Sequence, residues 1–267
     1  MTSFLPSFLL LTVGLLPIFS SAIECSTIPP HLWCSHKDII SSCNLTNLCS
    51  KYINATLNKP IQLKVLIESL CPDTENWIIN HLYPQVYKNF ADFVTVEFVP
   101  YGNAKVQDGG IVCQHGEDEC RINMFESCLI DATQDQKQYV PMIYCLEKQL
   151  KNGTAFEDAS SKCFETLEIG FDIQRLVQSC LVSRLGKQLQ AKAGERTANV
   201  WPEQHKHVPW ILFNNVSLSS AQLLKDDIPT LICQWYEGDK QIPYCRQQQK
   251  LLKRKSSNWS YFLQDFF

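Results

Sequence analysis

The residues with most chemistry to offer lie in "VLIESLCPDTENWI", Val65 to Ile78. Upstream, the alternation Ile61-Gln62-Leu63-Lys64-Val65-Leu66-Ile67 predicts a strand over 61–67. Downstream, Trp77, Ile78, Leu82 and Val86 approximate one apolar helical face, and Pro84 predicts a kink or an end to the helix's first half. Cys71 stands where the strand hands over to the helix. Only a thiolate attacks a disulfide. With an unperturbed pKa of ~8.5, about one thiol in 3,000 is ionised at pH ~5. A helix N-terminus favours the anion through its unpaired N–H groups and its dipole, and Pro72 at the first helical position sacrifices no hydrogen bond. Asp73 and Glu75 work the other way, since negative charge favours the protonated thiol.

Thiol-exchange sites usually carry a second cysteine in Cys-x-x-Cys, but this chain has Cys71-Pro72-Asp73-Thr74. The Thr74 hydroxyl can donate a hydrogen bond to a thiolate but cannot resolve a mixed disulfide. Exchange at Cys71 therefore needs an outside thiol, from a small molecule such as cysteine or glutathione or from the substrate's other cysteine. The rival reading of Cys71 is an unpaired, unreactive core cysteine.

The chain has 13 cysteines, an odd number, so one is free or bonded to another chain. Twelve fall into even groups: Cys25, Cys34, Cys43 and Cys49, then Cys113, Cys120, Cys128, Cys145, Cys163, Cys180, Cys233 and Cys245. Their pairing stays open, with 3 and 105 connectivities for sets of four and eight. Cys71 is left over. An oxidising compartment is expected: residues 1–22 read as a signal peptide, uncharged, apolar in the middle and ending in Ser20-Ser21-Ala22. Five Asn-x-Ser/Thr sequons, at Asn44, Asn54, Asn152, Asn215 and Asn258, agree with a glycosylated lumenal or secreted protein. A net charge of -3 gives no basic field for nucleic acid.

Residues 25–52 form a short cysteine-stapled unit with Trp33 before its second cysteine, and 53–60 read as a linker. "FVTVEFV" predicts a second strand over 93–99. Residues from about 120 to 198 read as helices. "HVPWILFNNVSL" returns to strand with a tight turn at Asn214-Asn215, and "SAQLLKDDIPTLICQWYEG" reads as a final helix. Without its helical middle the order is β-α-β … β-β-α, an α/β chain with the core of a thioredoxin-like fold and a disulfide-rich helical insertion over 61–245. Residues 246–267 read as a basic, then aromatic, tail.

Four pieces carry a family resemblance: "ESLC" at 68–71, "FVPYGNAK" at 98–105, "CQHGEDECRIN" at 113–123 and "HVPWILFN" at 207–214. The chain resembles the gamma-interferon-inducible lysosomal thiol reductase (GILT) family. That resemblance implies a thiol reductase acting on disulfide-containing proteins, with no bound cofactor, in the lysosome or outside the cell. It implies that Cys71 is the attacking thiol, that Thr74 occupies the resolving position, and that Pro209 is the cis-proline facing the thiol. The 25–52 unit resembles a saposin A-type module, which implies lipid or membrane contact; a plain stapled leader is the alternative.

"CQHGEDEC" also invites a metal reading through His115 and its carboxylates, but in a secreted chain a disulfide-closed loop is favoured and no metal is assigned. His81, ten residues beyond Cys71, is too far to act as its base. His207, two residues before Pro209, makes a Cys71/His207 hydrolase dyad imaginable; a surface histidine is the plainer reading. A redox-inactive binding protein for unfolded or disulfide-rich chains is the alternative to the reductase.

Overall fold

The structure, a computed structural model, describes residues 24–28, 32–34 and 36–250. The expected leader, the Asn258 sequon and the tail beyond residue 250 lie outside them. The chain divides into two compact units at Ser50/Lys51.

In the first unit α1 (Lys37–Ser42) precedes the start of α2 (Thr46–Thr56), and Cys25–Cys43 and Cys34–Cys49 staple the segment. His36 caps α1 by accepting from the Asp38 N–H, and the Trp33 indole donates to the Ile28 carbonyl at 2.9 Å. Cys49 is this unit's buried cysteine. With so little apolar side chain to bury, the bridges take the place of a core. The expected linker at 53–60 is helical as far as Thr56.

The second unit is built on a four-stranded sheet in the order β2-β1-β5-β6. β1 (Ile61–Ile67) is parallel to β2 (Val94–Pro100), with Ile61 opposite Val94 and Ile67 opposite Pro100. β5 (Trp210–Phe213) runs antiparallel to β1, and β6 (Val216–Ser217) antiparallel to β5. Asn214 and Asn215 join these last two at φ +49° and +65°, the left-handed conformation that asparagine tolerates in tight hairpins. This is a thioredoxin-like sheet. β1 is its centre and is buried on both faces: Leu63, Val65 and Ile67 enter one packed cluster and Leu66 the other.

After β1 comes α3 (Pro72–Trp77), then a π-helical stretch (Ile78–Tyr87) and α4 (Lys88–Phe90). Pro84 lies inside the π-helical stretch, where its missing N–H is accommodated by a wider turn instead of a break. A hairpin of β3 (Lys105–Gln107) and β4 (Gly110–Val112) follows β2. The insertion is five helices: α5 (Glu117–Thr133), α6 (Gln136–Lys151), α7 (Phe156–Thr166), α8 (Phe171–Leu181) and α9 (Arg184–Ala198). Cys128–Cys180 ties α5 to α8 and Cys145–Cys163 ties α6 to α7. The first closes a long loop, which by chain entropy is worth about 4 kcal/mol. The helix expected after the last strand is two pieces, α10 (Ser219–Gln222) and α11 (Ile228–Trp235), with Pro229 in the first turn of α11; Cys233 of α11 is bridged to Cys245 in a further helical segment over 243–250, which takes in the start of the expected tail.

Candidate active site

Cys71 is the N-cap of α3 and 8 % exposed. Among the described residues it is the free cysteine, the other twelve forming six bridges. Leu70, immediately before it, has φ +63°, a conformation costly for a branched side chain, so the loop between β1 and α3 must be held from outside.

The holding groups come from the sequence pieces singled out above. Glu68 is fully buried; its carboxylate accepts from the Asn103 backbone N–H at 2.7 Å and from the Asn103 side chain at 3.2 Å. The Ser69 N–H donates to Asn123 Oδ1 at 2.9 Å. Asn123 in turn donates to Glu119, which also accepts from the His115 N–H at 2.6 Å and faces His115 Nδ1 at 2.8 Å. Gln190 of α9 fastens the far side, donating to the carbonyls of Pro100 and Asn123 and to Ser127 Oγ. Gly102 lets the chain pass over Glu68: it sits at φ +56°, and a Cβ there would lie 2.2 Å from Glu68 Oε2. Cys113–Cys120 closes the loop that presents His115. Burial pushes the Glu68 carboxyl up, against the pull of the Asn103 N–H.

Glu68, His115 and Glu119 bring ligand atoms within 4.8 Å of one another. Both oxygens of each carboxylate already accept from N–H donors, so the trio reads as a hydrogen-bonded clasp. Cys113 and Cys120 are bonded to each other and offer no thiolate.

Val208–Pro209 is a cis peptide bond, as is Trp201–Pro202. Val208 and Trp210, flanking the buried Pro209, pack in the cluster that contains Cys71, Tyr101, Ala104 and Cys113. A cavity of about 1120 Å³ beside this cluster, between the β3–β4 hairpin and α9, is lined by Tyr101, Ala104, Ile111, Cys120, Gln190 and Gly194 among others.

Thr74 is fully buried in the first turn of α3, and its hydroxyl has no hydrogen-bond partner, so the hydrogen bond to the Cys71 sulfur that its type allows is not made. Asp73 is exposed, which screens its charge, whereas Glu75 is buried and its carboxyl is pushed up by that burial against Lys151 and His115. His207 stacks edge-on against Trp210 at 5.1 Å and shares no hydrogen bond with Cys71; burial lowers its pKa, with Lys225 adding and Asp73 opposing. His81 Nδ1 lies 3.7 Å from Asp226 Oδ1. Asn44, Asn54, Asn152 and Asn215 are exposed. The sequence reading missed the β3–β4 hairpin, whose Asp108-Gly109 is a turn signal, and the clasp, whose members are polar residues on separate elements.

A family profile for gamma interferon inducible lysosomal thiol reductase (GILT) matches residues 62–167. A gamma-interferon-inducible lysosomal thiol reductase of Carassius auratus is 32% identical over 219 residues, covering 79% of this chain and 81% of its own. The chain belongs to the GILT family. A gamma-interferon-responsive lysosomal thiol protein of Arabidopsis thaliana is 26% identical over 201 residues, covering 74% of this chain and 81% of its own. The Mus musculus gamma-interferon-inducible lysosomal thiol reductase is 26% identical over 190 residues, covering 70% and 72%. The profile match contains Cys71, the clasp and the helices α5 and α6 behind them.

Proposed function

We propose that this chain is a thiol-disulfide oxidoreductase acting on protein disulfides through a monothiol site, Cys71-x-x-Thr74. The observation that carries it is the isolation of Cys71: a free thiol capping a helix in a unit whose other cysteines are bridged. Cys71 as thiolate attacks one sulfur of a substrate disulfide; a Cys71–substrate bond forms and the other sulfur leaves as a thiolate and takes a proton. A small thiolate, from cysteine or glutathione, then attacks the Cys71 sulfur and frees the substrate. A second small thiol restores Cys71 and leaves as the oxidised dimer. Electrons therefore come from two small thiols per disulfide, and Thr74 contributes none. Pro209 is assigned to the wall against which the substrate chain lies, and the cavity sharing Tyr101 and Ala104 with the Cys71 cluster to the seat of the flanking polypeptide.

The working compartment is the lysosome or the extracellular space. The relatives' names, the six bridges and the four exposed sequons support it. Among the described residues no helix is long and apolar enough to cross a membrane.

The test is reduction of a disulfide-bonded protein at mildly acid pH with cysteine as reductant. Wild type accelerates reduction above cysteine alone, and Cys71→Ser does not. Acceleration retained in Cys71→Ser sinks the thiol mechanism, and reduction no faster than with cysteine alone in either protein leaves a redox-inactive binding protein.

A further inference from the structure

Behind the Cys71 helix lies a group of polar side chains that the mechanism above does not use. Glu126 of α5 and Glu147 of α6 are both fully buried. None of their four carboxyl oxygens accepts from an N–H donor; Glu126 lies within hydrogen-bonding reach of Glu147 and of the buried Ser69 hydroxyl, and the Thr74 hydroxyl, also fully buried, has no partner. Ser69 and Thr74 bracket Cys71 in sequence, and α6 packs on both α3 and α5. Glu126 faces Glu147 and Ser69, and Glu147 is close enough to Glu126, Glu75 and Cys71 for their charges to act on it.

Two adjacent carboxylates without N–H donors or a cation cannot both be ionised in such a place. A carboxylic acid also brings an O–H, the donor this group otherwise has only in its two hydroxyls. The surrounding charges do not supply a counter-ion. Lys151 of α6 is engaged with Asn76 and acts on Glu75. On α7, Lys162 turns to Gln149 and Glu157 to Arg121. His81 of the π-helical stretch faces Asp226, and Glu97 of β2 pairs with Lys64 and Arg196.

We propose that Glu126 and Glu147 are a proton-holding pair that acts through Cys71 and sets the pH range in which this thiol reacts. They are positioning residues and touch no substrate. In acid the pair is neutral, and a thiolate at Cys71 meets no like charge from behind. As pH rises and the pair loses a proton, negative charge appears beneath the helix and opposes ionisation of Cys71, so reactivity rises with pH less than a lone thiol's would. Burial drives the retention, pushing Glu126 up to about 8 and Glu147 well above its usual range. The inference rests on the reading of Cys71 as the working thiol.

The experiment is iodoacetamide labelling of Cys71 in the full chain from pH 4 to 9, for wild type, Glu126→Gln, Glu147→Gln and the double variant, beside an infrared titration of the protonated-carboxyl band. Wild type should retain that band at pH 7, and its labelling profile should show two inflections, one coinciding with loss of the band. The double variant should lose the band, match wild type below pH 6 and label faster above pH 8, roughly tenfold for a one-unit shift of the thiol. A wild-type profile with one inflection, or no band at pH 7, overturns the inference even if no variant folds. An unchanged profile in folded variants also overturns it. The readout needs no substrate, so a bent profile in a protein that forms no mixed disulfide sinks the reductase reading alone. A Cys71 that labels at no pH overturns both.

Discussion

Helix α5 takes part in two buried polar clusters that differ in one respect. Around Glu119 every carboxylate oxygen accepts from an N–H donor, and the loop leading to Cys71 is tied to α5 and to the turn at Gly102. Around Glu126, two helical turns further on, no carboxyl oxygen accepts from an N–H donor. The first cluster is hydrogen-bonded throughout and fixes geometry. The second is stable only if it keeps its protons. Buried carboxylates thus serve opposite ends in one helix, and the donors around them decide which.

Breaking the satisfied cluster should cost most. Glu119→Ala leaves the His115 N–H and the Asn123 side chain without acceptors, and urea unfolding should show a loss of about 3 kcal/mol. Gly102→Ala places a Cβ at φ +56° against Glu68 and should cost about 2 kcal/mol or more, read by the same assay, with slower Cys71 labelling as the loop shifts.

The unsatisfied cluster should show itself through pH. The folded-state pKa values of Glu75, Glu126 and Glu147 are raised, so the native state binds more protons than the unfolded chain above pH ~4.5. Stability from these groups is complete below that value and is lost as pH rises toward about 8, the opposite of an ion-paired carboxylate. Thermal melts should fall between pH 5 and pH 8 by the equivalent of about 3–4 kcal/mol, and Glu126→Gln/Glu147→Gln should flatten the dependence. A melt that rises over this window contradicts the assignment. The smallest effect belongs to Thr74→Val, which removes an unpartnered buried hydroxyl and should change stability by less than about 1 kcal/mol.

What the sequence revealed follows from which interactions are local. The alternation at 61–67 marks β1 because one residue in two must face a core, and Asn214-Asn215 marks the hairpin because few residues accept positive φ twice. Cys71 at the head of a helix was legible for the same reason. The cysteine pairing was not, since Cys128 and Cys180 are 52 residues apart and meet only when α5 and α8 pack. Nor were the clasp and the carboxyl pair: helical spacing tells which way Glu119, Glu126 and Glu147 point along their helices, not what stands opposite. The break between α10 and α11 is a tertiary adjustment of a segment that otherwise reads as a single helix, whereas Pro84 signals an interruption in the sequence and the structure makes it a π-helical stretch.

The central claim is that Cys71 works without a resolving partner because Thr74 holds that partner's place. The lifetime of the Cys71–substrate mixed disulfide, followed on non-reducing gels with and without glutathione, tests it most directly. Wild type should accumulate an adduct that persists until glutathione is added, Thr74→Cys should release it unaided at least roughly tenfold faster, and Cys71→Ser should form none. An adduct that clears in wild type without added thiol, at the rate seen in Thr74→Cys, would contradict the single-thiol site.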